Sequence, residues 1–381
     1  MLSRRGLHIV WFSRAGARDQ RTQMKINRVW MLAALLCAVS VLAWSQEKRK
    51  VIIDQDALGP GGSDQQSMMV LIQSPQTQVL GITVVTGDGW LKEEVAHTLR
   101  MLELIDRTDI PVVPGAEYPL VRRREATEMW ERRFGSFEWL GAWTPNRYHP
   151  PDQLGEMPEG MPTTKPADED AAHFLIRMVH KYPHEVTIYE GGPMTNLALA
   201  ISIDPEFVGL AKELIFMGAA LNPVTPDPEF LNVPRHEFNI WFDPEASHIT
   251  LRAPWKKIVC TTVDISLKTL LTEDLLDRIR KSSSPVAKYV GTYTKLHGPY
   301  NYLWDELAAA AWLDPGVITK KEIRYMDVDL DRGAGYGNTL TWAENEKPGV
   351  EVQKVEIQDD YDHDKFYNMF VDLMSAPTPR K

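Results

Sequence analysis

Residues 51–71 read VIIDQDALGPGGSDQQSMMVL, which is an apolar run followed by carboxylates and a glycine-rich loop. The opening Val-Ile-Ile is typical of a strand buried in a parallel sheet. Asp54 and Asp56 come directly after it, and Asp64 follows the loop at the start of a predicted helix. Open α/β sheets bind ligands beyond the carboxyl ends of their strands. Carboxylates that converge there, with no Lys or Arg beside them, indicate a hard divalent cation.

Beyond this stretch the chain alternates strand-like and helix-like patterns. This rhythm predicts an α/β fold with a mainly parallel sheet, helices on both faces, and a site at the C-terminal ends of the strands. The predicted helices cover residues 91–105, 171–180 and 364–374. The predicted strands cover residues 79–85, 109–115, 186–189, 212–218, 323–328 and 352–357, and a further strand ends at Val263 and Asp264.

Residues 121–168 interrupt this rhythm. They contain two arginine clusters, at 122–124 and 132–133, together with three tryptophans and many prolines. This composition predicts an irregular excursion that adds no strand to the sheet. The excursion would lie either over the mouth of the site or elsewhere as a structural surface loop, and the sequence favours neither position.

The first 45 residues have the pattern of a secretory signal peptide. Basic residues precede an apolar run at 29–39, and the small residues of Ala-Trp-Ser at 43–45 precede a cleavage point. The apolar run is shorter than a membrane span requires, although an uncleaved anchor is the alternative. The sequence therefore predicts an exported protein, periplasmic or extracellular. Residues 46–381 would form a single α/β domain without stable membrane insertion.

The net charge indicates the class of ligand, and the cysteine content bears on disulfide formation. The chain has a formal net charge of −10. Residues 1–45 hold seven basic residues and one acid, so their removal would leave −16. Such acidity argues against nucleic-acid binding, which needs a basic surface, and suits a small-molecule ligand. Cys260 would be the one remaining cysteine, which excludes an intramolecular disulfide and predicts a small buried hydrophobic residue.

Several motifs resemble the inosine-uridine preferring nucleoside hydrolase family, from about residue 50 to residue 374. DQD at 54–56 and SD at 63–64 resemble the two halves of its DTDPGxDD opening, with a connecting loop three residues longer. GPMTN at 192–196, EFNIWFDPEA at 237–246 and WDELA at 304–308 are similar to its GPLTN, EFNxxxDPEA and HDxLA segments. The resemblance implies a nucleoside hydrolase-like α/β fold that cleaves the N-glycosidic bond of ribonucleosides to free base and ribose.

The resemblance also implies a Ca²⁺ cofactor and its ligands. Carried over residue by residue, the ligands are Asp56, Asp64, Asp305 and the backbone carbonyl of Thr195. Asp56 would also act as the general base that takes a proton from the attacking water. Asp54 would support the ligand loop through hydrogen bonds, without contacting the metal. Oxygen ligands at irregular spacing suit Ca²⁺, which tolerates variable geometry.

The residues that would bind the nucleoside come from the same motifs. Asp88 stands where the family usually has Asn, so it can accept a hydrogen bond from a sugar hydroxyl but cannot donate one. Met217 and Phe238 would either line the pocket or belong to the core. The full substrate-binding set implied by the resemblance is Ser63, Asp88, Asn232, Glu237, Asn239 and Trp304.

Two of these positions depart from the family pattern. Ser63 replaces a carboxylate that contacts the sugar, and a hydroxyl makes a weaker hydrogen bond than an ionised group. Trp304 replaces a His that protonates the leaving base, and an indole can stack on a base but supplies no acid. His297, Tyr300 or Tyr302 could compensate as an acid, or could have only packing and surface roles.

Three hypotheses for function follow. The first is Ca²⁺-dependent hydrolysis of nucleosides, which Asp56, Asp64 and Asp305 favour. The second is a catalytically weak protein that binds nucleosides or sugars, which Ser63 and Trp304 favour. The third is hydrolysis of another N- or O-glycoside. The resemblance also implies a homo-oligomer, while the base preference stays open.

Overall fold

The computed structural model describes residues 47–232 and 236–379. The predicted signal peptide therefore lies outside the described residues. The strands of the described residues, in chain order, are β1 (Arg49–Gln55), β2 (Thr77–Val84), β3 (Val112–Pro114), β4 (Val186–Glu190), β5 (Glu213–Met217), β6 (Ile258–Thr261), β7 (Leu270–Thr272), β8 (Tyr300–Tyr302), β9 (Ile318–Val328), β10 (Thr339–Ala343) and β11 (Gln353–Tyr361).

Helices occupy most of the connections between these strands. Short 3₁₀ turns lie at Gly141–Trp143 and Pro315–Val317. The described α-helices are α1 (Ser63–Gln73), α2 (Leu91–Leu104), α3 (Arg124–Phe134), α4 (Ala171–Lys181), α5 (Thr195–Ile203), α6 (Phe207–Leu210), α7 (Pro228–Asn232), α8 (Phe238–Phe242), α9 (Pro244–Arg252), α10 (Val263–Ser266), α11 (Glu273–Arg280), α12 (Pro285–Tyr293), α13 (Glu306–Leu313) and α14 (His363–Ser375).

Nine of the strands form one sheet in the order β10-β9-β11-β6-β5-β4-β1-β2-β3. From β3 across to β11 every neighbouring pair is parallel. At the far edge β9 is antiparallel to both of its neighbours, β11 and β10. Strands β7 and β8 form a separate antiparallel pair. The predicted mainly parallel sheet is therefore confirmed.

The central strand β1 shows why its sequence is a continuous apolar run. Val51 and Ile53 pack into the hydrophobic cluster that contains side chains of α1, α13 and α14. Ile52 packs on the opposite face, with side chains of α4, α5 and α9. Successive residues of a strand point to opposite faces, so a strand covered on both faces needs apolar residues throughout. Helices on both faces are confirmed.

The register of the parallel strands brings their carboxyl ends to one edge. Gln55 at the end of β1 pairs with Val84 at the end of β2, and Asp54 pairs with Glu190 at the end of β4. The next neighbour continues this alignment, because Glu190 pairs with Phe216 of β5. The loops that leave β1, β2, β4 and β5 therefore converge, which is where open α/β sheets place their ligands.

The excursion at 121–168 contains one regular helix, α3, and no strand in its described length. Buried Arg122 anchors its beginning, with the guanidinium 4.5 Å from the Trp241 ring and 4.4 Å from the Tyr336 ring. Near its end, buried Glu159 pairs with buried His97 of α2. Fixed at both ends, the excursion holds a defined position.

One predicted strand boundary is wrong. Strand β6 ends at Thr261, and Val263 already belongs to helix α10. The carboxylate of Asp264 accepts hydrogen bonds from the amides of Leu221 and Asn222, at 2.9 and 2.8 Å. These side-chain hydrogen bonds take the place of the backbone hydrogen bonds that a longer strand would have made with its neighbour. Carboxylates in turns commonly accept hydrogen bonds from nearby backbone amides in this way.

The predicted small buried cysteine is confirmed, because Cys260 is fully buried in β6. Its thiol lies 3.3 Å from the carbonyl oxygen of Gly218. Among the described residues, no helix has the length and apolar character needed to cross a membrane.

Ser284→Ala should lower the free energy of unfolding by about 1 kcal/mol. Ser284 precedes α12, and its hydroxyl oxygen accepts a hydrogen bond from the Ala287 amide at 3.1 Å. This bond satisfies one of the free amides at the helix start. Urea unfolding of the variant measures the loss. Ser136→Ala, in an exposed loop, should change stability by less than about 0.5 kcal/mol. Equal midpoints for the two variants would contradict the capping role.

Candidate active site

A cavity of about 520 Å³ opens at the carboxyl edge of the parallel strands. This volume is within the range of small-molecule sites. Its floor is acidic, its walls are aromatic and apolar, and its rim carries charged side chains. The lining residues include Asp56, Asp64, Asp88, Asp305, Glu237, Asn239, Met217, Phe238, Trp139, Trp304, Phe230, Glu229, Glu138, Arg147 and His297.

Asp56 follows β1 and is buried with 2% of its surface exposed. Its Oδ2 accepts a hydrogen bond from the Asp88 amide at 3.0 Å. Two glycines approach it so closely that a Cβ would collide with it. A Cβ at Gly87 would lie 2.0 Å from Oδ2, and one at Gly192 would lie 2.9 Å from Oδ1. Glycine at both positions therefore leaves room for the carboxylate of Asp56.

Asp305 immediately precedes α13 and is held in place from two directions. The Gln55 side-chain amide donates to its Oδ2 at 3.2 Å, and the Tyr189 hydroxyl donates to its backbone carbonyl at 2.9 Å. Among the described residues, its buried Oδ1 has no hydrogen-bond partner. Burial raises the pKa of Asp305 to about 7.

The four aspartates of the floor have little positive charge near them, although burial, which raises the pKa of Asp88, is partly offset there by Arg147. Burial, followed by repulsion from Asp88 and Asp305, raises the pKa of Asp56 well above its usual range. The same causes, with Asp56 added, raise the pKa of Asp64. The one cationic side chain among the described lining residues is Arg147, at the exposed rim.

This charge distribution fits a bound divalent cation. Buried carboxylates are costly unless something pairs with them. The donor atoms are all oxygens, which hard cations such as Ca²⁺ and Mg²⁺ prefer. The unpartnered buried Oδ1 of Asp305 is a further oxygen that faces no donor in the described chain. Of the predicted ligands, Asp56, Asp64 and Asp305 thus meet at one cavity.

Thr195 and Asp54 are not among the residues that line the cavity. Thr195 begins helix α5, and its hydroxyl donates to Asp243 at 2.7 Å. The Asn196 side chain donates to Asp54 Oδ1 at 2.8 Å, which ties the start of α5 to the end of β1. Burial raises the pKa of Asp54 to about 7.

Glu237 and Asn239 line the cavity at the start of the short helix α8. The Glu237 carboxylate accepts hydrogen bonds from the amides of Asn239, Ile240 and Ala219, at 2.8, 2.9 and 3.1 Å. Burial raises the pKa of Glu237 to about 7, while these donors oppose that rise. The Asn239 side chain donates to the Gly191 carbonyl at 2.9 Å. Capping by Glu237 explains why this segment is helical.

Ser63 is not among the residues that line the cavity. Its hydroxyl donates to Glu306 Oε2 at 2.7 Å, and it accepts a hydrogen bond from the Asp305 amide at 3.3 Å. Glu306 is fully buried and needs such a donor. The serine therefore supports the start of α13 behind Asp305. Asn232 ends helix α7, and its side chain lies outside the described part of the chain.

Trp304 and Trp139 give the cavity two indole rings. The Trp304 ring packs 4.7 Å from the Tyr302 ring and 5.9 Å from the Phe230 ring. The Trp139 Nε1–H donates to Asp88 Oδ1 at 2.6 Å. Burial raises the pKa of Asp88 to about 6, against the effect of this hydrogen bond. The excursion thus reaches the cavity mouth, which was one of its two predicted positions.

The sequence-based prediction missed several lining residues. Trp139, Glu138 and Arg147 come from the excursion, where only the unusual tryptophan content was a signal. Glu229 and Phe230 come from α7, which carries no motif.

Of the three residues predicted as possible substitute acids, one lines the cavity and two do not. His297 lines the cavity, whereas Tyr300 and Tyr302 line a different surface cavity. His236 is buried against the rings of Phe137 and Trp241, and burial lowers its pKa to about 3.

A second group of possible metal ligands lies elsewhere. His180, Asp204 and Glu206 place ligand atoms within 4.8 Å of one another. His180 Nε2 lies 2.7 Å from Asp204 Oδ2, and the histidine is exposed. His180 is in the last turn of α4 and Asp204 directly follows α5, whereas Thr195 at the beginning of α5 adjoins the cavity region. Exposed acidic groups are common without a bound metal. None of these three residues is a predicted metal ligand, so the group is distinct from the predicted site.

The acidic cavity at the carboxyl edge of a parallel sheet, with polar and aromatic groups above it, defines an α/β enzyme that acts on a small polar substrate. The chain belongs to the inosine-uridine preferring nucleoside hydrolase family, whose sequence model matches residues 51–368. The predicted family is confirmed, and the chain is an N-glycosyl hydrolase of the nucleoside hydrolase type. The family is metal-dependent.

Relatives and solved structures agree with this assignment. The chain is 25% identical to an inosine-uridine preferring nucleoside hydrolase of Leishmania major, over 86% of this chain and 97% of that protein. It is 28% identical to uridine nucleosidase 1 of Arabidopsis thaliana, over 72% and 76%. The structure of a plant nucleoside hydrolase matches with a TM-score of 0.68 and 25% identity, covering 87% of this chain and all of that one.

Proposed function

We propose that this enzyme hydrolyses ribonucleosides to free base and ribose, with Ca²⁺ held by Asp56, Asp64, Asp305 and the Thr195 carbonyl. The observation that carries the proposal is the convergence of these three aspartates on one cavity with a single exposed cationic side chain among its described lining residues. When bound, the cation offsets the repulsion between the carboxylates and makes a nearby water more acidic.

Asp56 is the general base of the proposed reaction. It is closely enclosed between Gly87 and Gly192. A carboxylate fixed in this way can accept the proton of the attacking water, which then adds to C1′ of the sugar. Positive charge develops on the ring as the bond to the base breaks. The acidic floor stabilises that charge without having to rearrange.

Ribose recognition is assigned to Glu237, Asn239 and Asp88. All three line the cavity, and hydrogen bonds within the protein hold each of them in position. Fixed acceptors of this kind orient sugar hydroxyls at low entropic cost. The Trp304 and Trp139 rings supply apolar surface for the base.

Hydrolysis assays on the purified protein test the proposal. The substrates are a panel of purine and pyrimidine ribonucleosides and p-nitrophenyl riboside, each with added Ca²⁺ and with EGTA. Turnover of at least one nucleoside, lost in EGTA and restored by Ca²⁺, is the expected result.

Other outcomes distinguish the alternatives. Binding of nucleosides without turnover of any glycoside would favour the catalytically weak binding protein, as the replacement of the family His by Trp304 suggests. Turnover confined to other N- or O-glycosides would favour the third hypothesis. Turnover unaffected by EGTA would contradict the metal assignment.

A further inference from the structure

The cavity lacks the usual donor for the leaving base. A natural nucleobase is a poor leaving group, and its departure needs a proton from a positioned acid. Trp304 occupies the position of the family's His, and an indole has no acid chemistry at neutral pH. Any acid that replaces it must line the same cavity and be protonated at the working pH.

Glu229 meets the first of these conditions. It lies in α7, with its side chain half-buried at the cavity wall. The neighbouring residue Phe230 packs its ring 5.9 Å from that of Trp304, so α7 and Trp304 enclose the same part of the cavity. The Glu229 amide donates to Asp227 Oδ1 at 3.1 Å, which fixes the start of the helix. A base stacked on Trp304 would therefore share this cavity with the Glu229 side chain.

The surroundings of Glu229 also meet the second condition. Burial and the negative charges nearby raise the pKa of Glu229 to about 8. A carboxylic acid with such a pKa is protonated at pH 7 and can donate a hydrogen bond or a proton. The charged and titratable groups around it are Asp227, Asp88, Glu237 and Glu138, with Arg147 and His297 lining the same cavity.

We propose that Glu229 is the general acid that protonates the departing base, an inference that rests on the proposed nucleoside hydrolysis. The bond between C1′ and the base nitrogen breaks, and its electron pair stays on the base. The Glu229 proton passes to a nitrogen of the base, which leaves neutral. Water adds to C1′ and gives its proton to Asp56. Proton exchange with solvent then restores both carboxyl groups.

The other acidic groups at the cavity fit this role less well. Asp56, Asp64 and Asp305 form the proposed metal site. Glu237 is held by three backbone amides, and Asp88 by the Trp139 indole. Glu138 and His297 are exposed at the rim, away from the enclosed wall that Glu229 shares with Phe230.

The test compares two leaving groups in the full-length Ca²⁺-loaded enzyme. Glu229→Gln should lower kcat/KM for inosine, or for the nucleoside of the panel that the enzyme prefers, by about 100-fold, because a general acid contributes roughly that much or more. For p-nitrophenyl riboside, whose phenolate leaves without protonation, the same variant should lose less than about threefold. Glu125→Gln removes the same charge from an exposed position outside the cavity and is the matched control. His297→Gln tests the competing acid.

The pH profile of the unmodified enzyme provides a second measurement that does not depend on a variant folding. An acid must be protonated to act, so kcat/KM for inosine should fall as the pH rises through the raised pKa of Glu229. The aryl riboside should not show this falling limb, and Glu229→Gln should abolish it for inosine. If Glu229 had only a structural role, the substitution would change kcat/KM for both substrates by the same factor.

Three results would overturn the inference. The first is equal losses on the two substrates in Glu229→Gln, and the second is an inosine profile without the alkaline limb. The third is turnover of the aryl riboside by the unmodified enzyme without turnover of any nucleoside in the panel, because no acid would then be acting. No turnover of the aryl riboside or of any nucleoside in the panel would instead refute the proposed nucleoside hydrolysis itself, and the Glu229 assignment with it.

Discussion

Asp56→Asn is expected to lower kcat/KM for nucleosides by about 1,000-fold or more. The substitution removes both a general base, which contributes roughly 10²–10⁴-fold, and one ionised ligand of the proposed cation. The kcat/KM for p-nitrophenyl riboside should fall by the same factor, because both substrates need the same activated water, whichever leaving group departs. This equal loss distinguishes Asp56 from Glu229.

The size of the replacement matters at this position. Asparagine is nearly isosteric with aspartate, so it fits between Gly87 and Gly192, where a Cβ on either glycine would collide with the side chain of Asp56. The side-chain oxygen of the asparagine can still accept the hydrogen bond that Asp56 Oδ2 accepts from the Asp88 amide. The unfolding midpoint in urea should therefore stay close to that of the unmodified enzyme.

Steady-state kinetics on inosine and on the aryl riboside measure the effect. Asp106→Asn is a suitable control, because Asp106 is exposed and its φ of 59° lies in the left-handed region that Asn tolerates well. The control should retain nearly full activity. Retention of more than about a tenth of the activity by the Asp56 variant would exclude Asp56 as the base.

The residues themselves could predict the carboxylates that surround the end of the first strand. The apolar run at the start of β1 predicted a strand covered on both faces, which the structure confirms. Asp56 directly follows β1, and the parallel register brings the loops that leave β1, β2, β4 and β5 to one edge of the sheet. Glu237, Asn239 and Asp305 follow no strand of that sheet, and only the resemblance of their motifs to the family predicted them.

The other parts of the site depend on tertiary contacts that no local pattern records. Trp139 reaches the cavity because Arg122 anchors the excursion between two aromatic rings. Ser63 is directed to Glu306, a buried carboxylate distant in sequence that needs a donor. Glu229 acquires its raised pKa from burial and from neighbouring carboxylates, which only the folded chain brings together. Each of these three features depends on burial in the folded chain, which the spacing of residues in the sequence does not determine.

The surface group of His180, Asp204 and Glu206 shows how burial also discriminates between possible metal sites. These side chains can approach one another, but solvent already stabilises their charges. In the cavity, Asp56 and Asp305 are buried without a positive partner among the described residues, so a cation there removes a large electrostatic cost. The cavity should therefore bind a divalent cation more tightly than the surface group does.

Asp305→Asn is accordingly expected to weaken Ca²⁺ binding by at least about 100-fold. Loss of residues that merely orient a ligand already costs roughly 10–100-fold, and loss of a charged ligand should cost no less. Isothermal titration of the EGTA-treated protein with Ca²⁺ should detect one site in the unmodified enzyme and none at the same concentrations in the variant. Asparagine preserves the size of the side chain and can still accept the hydrogen bond from Gln55, so the fold should persist.

A double variant, His180→Gln with Asp204→Asn, is the matched control for this measurement. It removes two of the three possible ligands on the surface and leaves the cavity untouched. Because solvent screens the charges of the exposed group, its loss should leave both the affinity and the stoichiometry of Ca²⁺ unchanged. If the surface variant lost the ion and Asp305→Asn kept it, the cavity carboxylates would need another role. Their raised pKa values would then indicate shared protons at neutral pH rather than a bound cation.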